Sequence, residues 1–82
     1  MSKHEIENVL EINKNIINTN KAVVKKLTFI RDTLAQIAPA ISLDEIDDEI
    51  ATLTAEIEEA KTRLAKRKKQ LKLLEQIEAL NN

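Results

Sequence analysis

Apolar residues recur along most of the chain in alternating steps of three and four, a spacing that places them on one face of an α-helix. In the first half of the chain these positions are Ile6, Val9, Asn13, Ile16, Asn20, Val23, Leu27, Ile30, Leu34, Ile37 and Ile41. In the second half they are Leu43, Ile46, Ile50, Leu53, Ile57, Ala60, Leu64, Arg67, Leu71 and Leu74. A seven-residue repeat sustained over this length is typical of helices that pack as a coiled coil.

The helical pattern is interrupted only in the segment 38–42. Pro39 has no backbone N–H and disfavours helical geometry at the preceding residue, so the first helix is expected to end near Ile37. Serine and glutamate three residues apart, at Ser2–Glu5 and Ser42–Glu45, have the spacing of capping boxes and mark two helix starts. The predicted organisation is a single unit over residues 1–82, with helices at 3–37 and 43–80 and a turn at 38–42.

The short connector makes the two helices antiparallel neighbours, so the predicted fold is all-α: a two-helix antiparallel coiled-coil hairpin. A hairpin of this kind buries one stripe on each helix and has a small core for its size. We therefore expect it to assemble into a four-helix bundle or a higher homo-oligomer.

Further apolar side chains lie beside the predicted seam, and exposed apolar strips usually mark an interface. The candidate partner-binding residues are Leu10, Ile17, Val24, Phe29, Leu73 and Ile77. The expected partners are the chain itself, as a dimer or tetramer, and an unidentified protein.

Three polar residues occupy predicted seam positions: Asn13, Asn20 and Arg67. Polar seam residues lower the stability of a coiled coil but select its register and oligomeric state. In a hairpin that turns at the Pro39 segment, Asn13 is expected to face Arg67 and to accept a hydrogen bond from its guanidinium. The alternative is that these residues line a small anion site at an oligomer interface.

Charge is segregated along the second helix. Residues 44–59 hold eight acids and no base, and residues 61–72 hold seven bases and no acid. Acids of the first segment are expected to pair across the hairpin with lysines of the first helix: Glu56, Glu58 and Glu59 with Lys21, Lys25 and Lys26.

The basic segment 61–72 has three interpretations: a solvated face, a contact with an acidic surface, or a site for an anionic ligand or nucleic acid. The acidic surface would be the 44–59 segment of a second copy or an acidic partner protein. The candidate anion-binding residues are Arg63, Lys66, Arg67, Lys68, Lys69 and Lys72.

Composition argues against several function classes. The chain has no glycine for a phosphate-binding loop, no cysteine for a thiolate or zinc site, and a single histidine, His4, without a neighbour at metal-ligand spacing. We therefore expect no enzyme activity, no cofactor and no bound metal. The net charge of −1 predicts no general attraction to nucleic acid or membranes.

No apolar run is long enough to span a bilayer and the N-terminus lacks a signal-peptide core, so a cytoplasmic location is expected. The abundance of isoleucine, lysine and asparagine suggests a bacterial or phage source. In outline the chain resembles small helical-hairpin proteins that act as chaperones or adaptors, a likeness of architecture. The predicted function is a non-enzymatic protein–protein interaction module, such as an assembly chaperone, an adaptor or a small inhibitor.

Overall fold

The computed structural model describes residues 1–81 and contains two long helices without strands in that part of the chain. Helix α1 spans Lys3–Ile37, and helix α2 spans Asp44–Asn81. The two helices pack along each other, as the prediction of an all-helical hairpin requires. The predicted unit also includes Asn82, which lies outside the described residues.

Helix α1 begins with the predicted serine cap. The Ser2 Oγ accepts a hydrogen bond from the Glu5 amide at 3.2 Å, which satisfies one of the amides that a helix start leaves free. The Ser2 hydroxyl also bonds the Glu5 carboxylate at 3.2 Å. The local sequence therefore explains where α1 starts.

The second predicted capping box is wrong. The Ser42 Oγ accepts from the Asp44 amide at 3.4 Å and not from Glu45, because α2 begins at Asp44, one residue later than expected. The Asp47 amide then donates to the Leu43 carbonyl at 2.9 Å, which makes that bond the first of the helix.

The connection between the helices is a tight turn. The Ala38 amide still donates to the Leu34 carbonyl, at 2.9 Å, and the Ile41 amide donates to the Ala38 carbonyl, at 3.0 Å. Pro39 therefore occupies the second position of a four-residue turn, where its fixed φ is favourable. The reversal is short enough to bring α2 back along the whole of α1.

The α2 side of the seam has the predicted register, whereas the α1 side does not. Every predicted seam residue of α2 from Leu43 to Leu74 is buried or half-buried. On α1 the residues that face α2 are Ile6, Leu10, Asn13, Ile17, Asn20, Val24, Leu27, Arg31 and Leu34. One predicted column of α1, in which residues seven apart run from Ile6 to Leu34, is retained in the seam. The other predicted column, which begins at Val9, is replaced by the column one residue further along the chain, which begins at Leu10.

The shift of the α1 seam follows from the packing of the middle of the hairpin. Ile17 forms a buried cluster with Ile57 and Ala60, and Val24 and Leu64 pack against that cluster. The same rotation of α1 places Arg31 beside α2, where its Nε lies 2.6 Å from an Asp47 carboxylate oxygen.

The hairpin is a rod whose Cα trace measures 67 × 14 × 14 Å. Ion pairs join the helices near both ends of the rod: Arg31 with Asp47 near the turn, and Lys3 with Glu78 at 3.6 Å at the open end. Neither helix, over the residues described, combines the length and the apolar character that a membrane crossing requires.

Candidate interaction surface

Helix α1 carries a second apolar stripe, in which Ile16 packs against the central cluster but which α2 leaves uncovered from Val23 onward. The stripe is the replaced seam column and consists of five β-branched residues spaced seven apart: Val9, Ile16, Val23, Ile30 and Ile37. It is half-buried at its first two members and exposed from Val23 to Ile37. We call these five residues the α1 stripe.

Two shallow grooves extend this apolar surface around α1. One is lined by Ala22, Lys25, Lys26, Phe29 and Ile30, and its walls are almost entirely apolar. The other runs past Ile12, Ile16 and Thr19. Phe29, the single aromatic residue of the chain, is 73% exposed. Large apolar side chains concentrated on one side of a helix are the feature expected of a helix-binding surface.

Three of the predicted partner-binding residues are placed differently from expectation. Leu10 and Ile17 retain only 9% and 8% of their exposure, and Val24 is half-buried against the central cluster. The expectation that they form an exposed strip is wrong, because α1 is rotated so that they form the seam. Phe29, Leu73 and Ile77 are exposed, as that prediction requires.

The buried polar layer is real, but its predicted pairing is wrong. Asn13 is 3% exposed, and its Oδ1 accepts from the Arg63 Nε at 3.0 Å, while its Nδ2 donates to the Val9 carbonyl at 2.9 Å. Arg67 lies one helical turn further along α2 and donates to Gln70 at 2.7 Å. The α2 residue that pairs with Asn13 therefore lies about one helical turn from the predicted residue.

The second seam asparagine also bonds across the hairpin. The Asn20 Nδ2 donates to a Glu56 carboxylate oxygen at 3.0 Å. Together, Asn13–Arg63 and Asn20–Glu56 fix the relative position of the helices through side chains that have directional requirements. Their positions are seven residues apart on both helices, so they reinforce a single register.

The expected ion pairs between Glu56, Glu58 and Glu59 and the lysines of α1 do not form. Glu58 pairs with Lys61 at 3.4 Å and Glu59 pairs with Arg63 at 3.9 Å, both within α2. The two acids lie outside the seam, so bases one turn away on the same helix reach them more easily. Lys21, Lys25 and Lys26 have no acid within 4.0 Å among residues 1–81.

The contact between Arg31 and Asp47 shifts the pKa of Arg31. The hydrogen bond that Arg31 donates to Asp47, together with the negative charge of Asp47, raises the pKa of the Arg31 guanidinium, with a smaller contribution from Asp32. Because the pKa of Arg31 is raised in the folded state, its contribution to stability is complete below the ordinary arginine pKa. That contribution is lost only as pH rises through the raised value. Added salt, which screens exposed charges, is thus the practical way to weaken this contact at neutral pH.

The grooves of the hairpin are lined by few kinds of chemical group. Residues 1–81 contain no group of three or more metal-ligating side chains. The grooves are shallow and open along the rod, and the side chains that line them are apolar, amide, hydroxyl and basic groups. Comparison with protein-family models, curated proteins and solved structures finds no significant match to this chain.

Proposed function

We propose that the chain is a non-enzymatic protein–protein interaction module that self-associates through the α1 stripe. The observation that supports the proposal is the exposure of Val23, Ile30 and Ile37, which lie beside the two α1 columns that pack against α2. Burial of apolar surface is the main favourable term in protein association, so an uncovered stripe of this kind favours a further helix.

The pattern of the α1 stripe favours a second copy as the occupant. The stripe is symmetric about Val23, with Ile16 and Ile30 at equal distances on either side and Val9 and Ile37 beyond them. Two such stripes can pair antiparallel about a two-fold axis at Val23, each apolar residue meeting an apolar residue. That self-complementarity is the requirement for a closed two-fold dimer.

The test replaces Val23 and Ile30 together with lysine and measures mass by analytical ultracentrifugation in about 0.5 M NaCl, which screens charge pairing. The unmodified chain is expected to be a dimer, and V23K/I30K a monomer. Four large apolar side chains leave the interface, so the dissociation constant should rise about a hundredfold or more. Circular dichroism should show that the variant keeps its helices, because both positions are exposed.

The matched control replaces two exposed apolar residues of α2, Ile77 and Leu80, with lysine. This control adds the same charge without touching the α1 stripe and should remain a dimer. A monomeric unmodified chain would overturn the proposal, as would a V23K/I30K variant that dimerises as well as the control.

A further inference from the structure

The side of α2 that faces away from α1 carries a stripe of its own, which is charged rather than apolar. We call it the α2 outer stripe, and all of its residues are exposed: Glu45, Asp48, Thr52, Ala55, Glu59, Thr62, Lys66, Lys69 and Leu73. Acids occupy its first turn and lysines its later turns. Most residues between them are small and uncharged.

The charges at the two ends of the α2 outer stripe are not neutralised within the hairpin. Among residues 1–81, no ion pair within 4.0 Å involves Glu45, Asp48, Lys66 or Lys69. The central acid differs, because Glu59 pairs with Arg63 on the same helix. The stripe thus presents unpaired negative charge at one end, unpaired positive charge at the other, and a nearly neutral middle.

We infer that the α2 outer stripe is a self-association surface that pairs antiparallel with the same stripe of a second copy. An axis near residue 57 places Glu45 opposite Lys69 and Asp48 opposite Lys66, and the two-fold symmetry repeats both pairs. Nearest the axis Ala55 faces Glu59, whose charge is paired with Arg63 on the same helix, and Thr52 faces Thr62 beyond them. A parallel arrangement would instead place like charges together.

Apolar contact at both ends strengthens this pairing. The same register brings Leu73 of one copy toward the turn that precedes α2 of the other, which carries Ile41, and both side chains are more than half exposed in the hairpin. Leu73 also lines a shallow groove with Lys66 and Lys69, so the apolar and basic contacts form one continuous surface. Exposed ion pairs contribute little individually, so this contact is weak and depends on salt.

The symmetry of the stripe favours a second copy over an anionic ligand as its occupant. Each unpaired lysine has an unpaired acid at the same distance on the other side of residue 57. A nucleic acid would meet repulsion from the acidic half of the helix, and the chain has no tyrosine or tryptophan and only one phenylalanine to stack on a base.

The experiment uses the V23K/I30K chain, in which pairing through the α1 stripe is removed. One derivative adds Lys66→Glu and Lys69→Glu; the other adds Glu45→Lys and Asp48→Lys. Each derivative alone places like charges opposite each other, whereas an equimolar mixture restores every pair. Sedimentation is measured in about 0.02 M and about 0.5 M NaCl, with circular dichroism to verify folding.

We expect the V23K/I30K chain to dimerise at low salt and to become monomeric at high salt, with the dissociation constant rising about tenfold or more. Each derivative should be monomeric at both salt concentrations, and their mixture should form a one-to-one heterodimer at low salt. A V23K/I30K chain that stays monomeric at low salt, or a mixture that does not associate, would overturn the inference.

A single-stranded oligonucleotide added to the V23K/I30K chain tests the competing occupant. If the V23K/I30K chain forms no dimer at low salt but binds the oligonucleotide, and the Lys66→Glu and Lys69→Glu changes abolish that binding, the inference is overturned in favour of an anionic ligand.

The test of the α2 outer stripe is independent of the test of the α1 stripe, because dimerisation of the unmodified chain at high salt reports only on apolar pairing. With both surfaces intact, low salt should produce assemblies larger than a dimer, since the two contacts lie on different helices.

Discussion

Ile17 and Ile77 have the same side chain in opposite surroundings. Ile17 is buried in the seam against Ile57 and Ala60, whereas Ile77 is 53% exposed on α2. A cluster of three buried residues is small, so each of its members should contribute a large part of the stability of the hairpin.

Ile17→Ala should lower the free energy of unfolding by about 2–3 kcal/mol, because it removes buried carbon atoms and leaves a cavity beside Ala60. Urea denaturation followed by circular dichroism at one protein concentration measures the change. Ile77→Ala is the matched control and should change the free energy by less than about 0.5 kcal/mol. Equal effects at the two positions would show that α1 does not have the register described.

At the scale of the elements, the polar layer fixes the position of α1 along α2. Asn13 is buried between Arg63 and the Val9 carbonyl, and Asn20 bonds Glu56. Both asparagines lie in the α1 column that the predicted and the observed seams share, so their hydrogen bonds do not select the rotation of α1. Because these bonds are directional, they fix how far α1 is displaced along α2.

Asn13→Leu should raise the free energy of unfolding by about 1 kcal/mol, because an apolar side chain replaces a polar one in the seam. Arg63, which is half exposed, can hydrate its released guanidinium. The same change should weaken the choice of register and give extra amide signals in an NMR spectrum. Asn18→Leu, on the exposed side of α1, is the control and should change neither property. A destabilised, single-register N13L variant would contradict this account.

At the scale of the whole molecule, the hairpin is far more extended than a compact domain of its length. Its Cα radius of gyration is 18.9 Å, whereas a compact chain of this size has about 12 Å. Side-by-side pairing about Val23 adds little to that dimension, since packed helices lie about 8–10 Å apart.

Small-angle X-ray scattering of the dimer in high salt should therefore give a radius of gyration of about 20 Å, close to that of the V23K/I30K monomer. Two rods joined end to end would instead give about 38 Å, from the 67 Å length of each rod. A value near that figure would exclude antiparallel pairing of the α1 stripe and point to contacts between the rod ends.

The sequence by itself determines the elements of this protein. Pro39 and the Ser2 cap act through neighbouring residues, so the end of α1 and its start can be located without knowledge of the packing. The seam of α2 is equally readable, because apart from Arg67 that helix has a single pair of apolar columns over most of its length. Steric restriction by proline, helix capping and a single apolar stripe each depend on residues within one helix or at its ends, so the sequence alone shows them.

Only the tertiary structure decides the rotation of α1 and the partners of its polar residues. The column containing Val23 has five apolar residues and the column containing Val24 ends in Arg31 and Ala38, so the sequence pattern favours the former. The structure buries the latter, where Ile17 meets Ala60 and Arg31 reaches Asp47. The physical reason is that helix rotation depends on contacts between residues far apart in the chain, which periodicity within one helix does not encode.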